Sequence, residues 1–148
     1  MALFDETHML GTISASTQEE VFQALATRAV ELGSATDAAA VVADLKERES
    51  ESSTGFGGGI AIPHAKTASI TAPTVLFGHT ETPVEWDALD GKPVSTFINI
   101  LVPDGEGTEH LRILAKLARK LMHEDFADGL RTGSDAEACA LIEGVLAE

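Results

Sequence analysis

The run Val94 to Val102, VSTFINILV, constrains the fold more than any other stretch of this chain. It is rich in β-branched residues and nearly apolar throughout, with no alternation of period two. A strand that faces water on one side alternates apolar and polar side chains, whereas a strand covered on both faces reads as a continuous apolar run. The run therefore predicts a strand in the middle of a sheet, with other elements packed above and below it. Two shorter strand candidates are Ile60 to Ile62, ended by Pro63, and Thr74 to Phe77.

Helical signals lie around these strands. Thr17-Gln-Glu-Glu20 has the spacing of a capping box, in which the threonine hydroxyl caps the turn and the glutamate reaches back. Val21, Phe22, Leu25, Ala29 and Leu32 follow every three to four residues, and Gly33 is a stop signal. A second helix begins near Thr36 or Asp37, faces inward with Val41, Val42 and Leu45, and ends in the charged run Lys46 to Glu49. A Ser/Gly-rich loop occupies 50–59. Glu85 to Lys92 reads as a loop with an Asp90-Gly91 turn signal, and 103–107 as a turn-rich loop. Thr108 is a candidate cap for a helix that buries Leu111, Leu114, Leu117, Ala118 and Leu121. Ser134-Asp-Ala-Glu137 is a second capping box, opening a terminal helix with Ala138, Leu141, Ile142 and Val145 inward. Helices alternating with strands predict an α/β or α+β sandwich. At 148 residues, one domain spanning 1–148 is expected.

Charge narrows the partners. With 24 acidic and 10 basic residues the formal charge is −14. Such a surface repels nucleic acid and anionic lipid, which proteins bind by neutralising phosphates with Lys and Arg. An anion site on this chain must be local. The start, MALFDETHML, lacks a basic segment followed by a long apolar run, so no signal peptide is expected. One cysteine, Cys139, makes no internal disulfide, and no run approaches the length of a membrane span. The expectation is a soluble cytoplasmic protein.

The densest chemistry lies in Arg48 to Lys66, RESESSTGFGGGIAIPHAK. His64 follows a proline at the end of an apolar strand. Pro63 fixes its own φ and biases Ile62 towards extended backbone, so the histidine is stiffly held. The glycines before it would let another molecule's backbone approach. The same features suit a hydrogen-bonded structural histidine. His110 falls in the first turn of the helix capped at Thr108. There the helix dipole disfavours imidazolium and favours an anion, although a surface histidine at a helix start looks the same. Arg48 offers a planar set of donors suited to a phosphoryl group, or it serves the dipole at a helix C-terminus. Ser53 and Thr54 could add hydroxyl donors, or simply make turns.

Other chemistries find no pattern here. Gly55-Phe-Gly57-Gly-Gly59 precedes a strand rather than following one, and no phosphate-loop lysine accompanies it, so nucleotide binding is not expected. His8, His64, His79, His110 and His123 show no ligand-type pairing, and no metal or other cofactor is expected. No serine nucleophile elbow is present. Trp86 reads as a loop anchor or part of the core.

Taken together, Glu49, Phe56-Gly57 and Ile60-Ala61-Ile62-Pro63-His64-Ala65 resemble the active-site signature of fructose/mannitol-type enzyme IIA domains of the sugar phosphotransferase system. Arg48 and Ser53-Thr54-Gly55 fall where that family has an RE…STG segment. Trp86-Asp-Ala-Leu-Asp-Gly-Lys-Pro-Val94 is similar to its LDGKPV region, and Glu109-His110-Leu111 with Leu114 to Ala118 to its HL…LA helix. The resemblance covers nearly the whole chain, and the AIPHAKT, LDGKPV and EHL segments are closest to the fructose branch. It implies a mixed, about five-stranded sheet flanked by helices. It also implies a relay in which the phosphocarrier protein HPr phosphorylates His64, which then passes the group to a cysteine of enzyme IIB, coupled to sugar transport through the membrane component IIC. By position, His110 is the neighbouring histidine and Arg48 the phosphate-stabilising arginine, with Glu49 and Thr54 as softer phosphate-site assignments. A regulatory module of the nitrogen-branch type, which binds target proteins according to its phosphorylation state, is the alternative.

Overall fold

The computed structural model describes residues 2–105 and 107–148. The central element is β6 (Val94–Pro103), as its composition predicts. It pairs antiparallel with β5 (Thr74–Val84) on one side. On the other side it pairs in parallel with β3 (Ile60–Ala61) and then, further along, with β4 (His64–Thr67). β1 (Met9–Ile13) adds in parallel to β5, and β2 (Gly55–Gly57) adds antiparallel to β3. The order is β1-β5-β6-β3-β2, a mixed sheet of six strands counting β4.

Helices cover both faces. α1 (Gln18–Glu31) and α2 (Ala38–Glu51) lie on one. They bury Val21, Phe22, Leu25, Val41 and Leu45 against Leu76, Phe97 and Leu101. α3 (Glu109–Leu121), α4 (Glu124–Thr132) and α5 (Asp135–Leu146) lie on the other, packing Ile113, Leu117, Phe126, Leu130 and Ile142 against Phe77, Ile98 and Ile100. Phe97 and Leu101 serve one layer while Ile98, Ile100 and Val102 serve the other, which is why β6 needs apolar residues at nearly every position. Among the described residues no helix is long and apolar enough to cross a membrane.

Both capping boxes form, at Thr17 with Glu20 and at Ser134 with Glu137. Asp37 caps α2 by accepting from Ala40 N–H. The structure corrects several other expectations. Thr108 precedes α3 but makes no side-chain cap; only its carbonyl is used, by Leu111 and Arg112. Leu111 is 53% exposed, and Ile113 takes the buried place instead. The second strand runs on to Val84, and the Ser/Gly-rich loop contains β2. The stretch between Leu121 and Ser134 holds an additional helix, α4. Of the loop expected over 103–107, position 106 lies outside the described residues.

Candidate active site

His64 opens β4 immediately after the break at Pro63, opposite Ile100 of β6. The carbonyl of Ile62 accepts a hydrogen bond from His64 Nδ1 at 2.8 Å. A carbonyl oxygen can only accept, so Nδ1 carries the proton and the neutral ring keeps its lone pair on Nε2. Burial, leaving the residue 9% exposed, pushes the imidazole pKa down. The Ile62 hydrogen bond opposes this, and the Arg48 and His110 charges reinforce it. The ring is thus held neutral, in one tautomer, at neutral pH.

The backbone around His64 is anchored from several directions. Ile62 N–H donates to the Thr54 carbonyl at 3.0 Å, and the Pro63 carbonyl accepts from Ile100 N–H at 3.0 Å. Thr54 is tied in turn to Glu49. Its N–H donates to one carboxylate oxygen and its hydroxyl to the other, both at 2.6 Å. The Trp86 indole N–H donates to the same hydroxyl at 3.1 Å. Trp86 is buried, edge-on to Phe22 and tilted against Phe97.

His64 lines an open cleft of about 550 Å³ at the sheet edge, between the helices of the two layers. α2 contributes Asp44, Glu47, Arg48 and Glu51 to its wall. β4 contributes Lys66, two residues beyond His64, and α3 contributes His110 and Leu111. Asp104 completes the rim. Arg48 is held by a hydrogen bond from Nη1 to the Ser52 carbonyl at 3.0 Å. Burial and then Lys66 push the His110 pKa down, with the Gly107 carbonyl opposing them. No hydrogen bond closes on the buried His110 Nδ1 among the described residues.

Of the residues expected from sequence, His64, His110 and Arg48 meet in this cleft. Glu49 and Thr54 do not line it. They form a separate node whose hydrogen bonds run through Thr54 and Ile62 to the His64 ring, and the Thr54 hydroxyl proton is already committed to Glu49. The glycine-rich loop also lies elsewhere. The Gly59 carbonyl pairs with Ser95 and Thr96, four residues before the partner of His64, or about 13 Å along the strand. It closes the β2–β3 hairpin and does not open the approach to His64. Sequence reasoning missed Lys66 and Asp104. Strand alternation puts Lys66 on the same face as His64, which was the available signal. A larger cleft, about 730 Å³, lies by Asp5, Glu6, Asp135, Cys139 and Glu143. Among the described residues no group of His, Cys, Asp and Glu converges as a metal site.

The cleft can therefore present a neutral nucleophilic nitrogen to an electrophile, with a guanidinium, an ammonium and a second imidazole in its lining. Comparison with known proteins gives the family. Residues 2–144 match the family described as the phosphoenolpyruvate-dependent sugar phosphotransferase system, EIIA 2. A fructose-specific EIIA component of Haloferax volcanii is 42% identical over 133 residues, which are 90% of this chain and 84% of that protein. A nitrogen regulatory protein of Bradyrhizobium diazoefficiens is 35% identical over 130 residues, 88% and 84% of the two chains. The crystal structure of the nitrogen regulatory protein IIA-Ntr from Neisseria meningitidis superposes with a TM-score of 0.86 at 34% identity, covering 95% of this chain and 96% of that one. With nearly its whole length matched, the chain belongs to the type 2 EIIA family of the phosphoenolpyruvate-dependent sugar phosphotransferase system and is a phosphotransferase component of that kind.

Proposed function

We propose that the chain is a phosphohistidine carrier in which His64 Nε2 accepts a phosphoryl group from HPr and hands it to a cysteine of enzyme IIB in the cytoplasm. The observation that carries this reading is the Nδ1–H hydrogen bond to Ile62, which leaves Nε2 as the free nucleophile in a cleft shared with Arg48 and His110. In the first step the N–P bond forms as the bond from phosphorus to the donor breaks, the donor keeping the electron pair. The Nδ1 proton stays in place. In the second step the IIB cysteine attacks as its thiolate, so the P–S bond forms as the N–P bond breaks, and the electron pair returns to Nε2. Nothing else need be transferred, so the protein's work is to align the reacting atoms and meet oxygen charge. Arg48 and His110 supply that, while Glu49 and Thr54 act by holding the segment that carries His64. The acidic cleft wall suits a donor with a basic face, and transfer from HPr should slow as salt rises.

Fructose is the sugar we assign, supported by the Haloferax relative. A second reading, a regulatory module whose phosphorylation state sets its binding, is supported by the nitrogen regulatory relatives. Incubation with phosphoenolpyruvate, enzyme I and HPr should leave acid-labile, alkali-stable phosphate on the chain, absent in His64→Ala. Labelling that persists in that variant refutes the assignment. In His110→Ala, slower transfer with phosphorylation retained is expected. Onward transfer to a fructose IIB favours the transport role, and its absence favours the regulatory one.

A further inference from the structure

Asn99 lies in the middle of β6, fully buried. Phe97 and Leu101, two residues to either side, face the α1–α2 layer, and strand alternation puts Asn99 on that face. Its Nδ2 donates to the Pro63 carbonyl at 3.0 Å, while its buried Oδ1 has no partner among the described residues. A buried amide with one arm unsatisfied is unfavourable, and a leucine here would avoid that cost. Neither strand pairing nor packing calls for the amide, because the Pro63 carbonyl would keep the bond from Ile100 N–H without it. Its position does account for it. The Pro63 carbonyl lies one peptide beyond the Ile62 carbonyl that holds the His64 ring. Proline fixes φ at 63, so the main freedom left is the tilt of the peptide leading into His64. A second hydrogen bond on the Pro63 carbonyl restrains that tilt.

We propose that Asn99 is a positioning residue for His64. Its amide fixes the Pro63 carbonyl, and through it the backbone from which the imidazole keeps Nδ1–H on Ile62 and Nε2 free for the cleft. The functional consequence rests on the reading of His64 as phosphoryl acceptor, but the structural claim can be read without any transfer.

The test uses the full chain labelled with nitrogen-15, as wild type and Asn99→Leu. Nitrogen spectra of the His64 ring give its tautomer and pKa, and phosphorylation by enzyme I and HPr gives the rate. With Arg48, Lys66, His110 and the cleft acids unchanged, Asn99→Leu should lower the Nδ1–H share. It should also move the His64 pKa further down, since the bond to Ile62 that props it up weakens. Transfer should slow by about 10- to 100-fold while the melting temperature does not fall. If leucine prevents folding, Asn99→Ala, too small to clash, carries the same readouts with a lower melting temperature. A wild-type tautomer in the folded variant overturns the proposal, whatever the rate does. So does a pKa that rises towards the ordinary value, the sign of a loosened, wetter site. A shifted tautomer in a chain whose wild type accepts no phosphoryl group would instead refute the carrier function and leave the positioning role standing.

Discussion

Thr54→Val should destabilise the protein through two bonds at once. Valine matches threonine in shape and in β-branching, so the backbone and packing are undisturbed. The variant loses the hydroxyl bond to Glu49 at 2.6 Å and strands the Trp86 indole N–H, whose acceptor was the same oxygen at 3.1 Å. A hydrogen bond to a charged group contributes about 1.5–3 kcal/mol, and a buried donor left unpaired costs about 1–3 kcal/mol. Glu49 is only half-buried and can recruit water, which puts its share at the low end. Trp86 is 2% exposed and cannot recruit water without opening the core. The sum is about 3 kcal/mol. With a urea slope of about 2 kcal/mol per molar, the unfolding midpoint should fall by about 1.5 M at unchanged slope. Repeating the substitution in Trp86→Phe, which has no indole N–H to strand, should recover about 1.5 kcal/mol as a coupling energy. A loss under about 0.5 kcal/mol in the wild-type background refutes the bookkeeping, since that is the ordinary scatter of neutral changes. An equal loss in both backgrounds would show that the indole bond contributes nothing.

Two further outcomes follow from the geometry. His64 and His110 both have pKa values below the unfolded value near 6.5, so below that pH the unfolded chain binds more protons than the folded one. Stability should be complete above about pH 6.5 and fall as pH drops towards the folded-state values. The slope should flatten in His64→Gln, as urea titrations at stepped pH can measure. Gly58→Ala places a side chain at φ +64, with its Cβ 3.0 Å from Arg131 Nη1, which can move aside. The backbone strain should cost about 1–2 kcal/mol. Phosphorylation of His64 should be unchanged, because the hairpin is remote from the cleft; a slowed rate would contradict that separation.

Much of this molecule is legible in the chain because local chemistry and tertiary environment agree. The capping boxes at Thr17 and Ser134 are satisfied within one turn, and the apolar run of β6 needs cover on both faces wherever it lies. α4 was hidden by Gly129, a poor helix former. The structure gives the reason for that glycine: a Cβ there would stand 2.5 Å from Leu141 Cδ1, so α4 and α5 pack closely at that point. Phe126 and Leu130 at helical spacing, with Glu124 and Asp125 in the first turn, were the signals available. The exchange of Leu111 for Ile113 follows from how α3 rolls onto the sheet, which its own periodicity does not decide. At the site, the signature brought out His64, His110 and Arg48. The Glu49–Thr54–Trp86 node and the tautomer depend on oxygens from residues far apart or on backbone carbonyls, which leave no mark in residue type.

The interruption at Pro63 looks like a defect in an otherwise continuous edge. Proline has no N–H to give, and β3 stops before it while β4 begins after it. The Ile62 carbonyl at this gap is taken up by the His64 ring. Ile62 N–H faces Thr54, so a regular antiparallel ladder on that side would give the Ile62 oxygen the Thr54 N–H, which Glu49 takes instead, and the imidazole would lose the acceptor that decides where its proton sits. The irregularity of the sheet is thus the source of the chemical asymmetry between the two ring nitrogens.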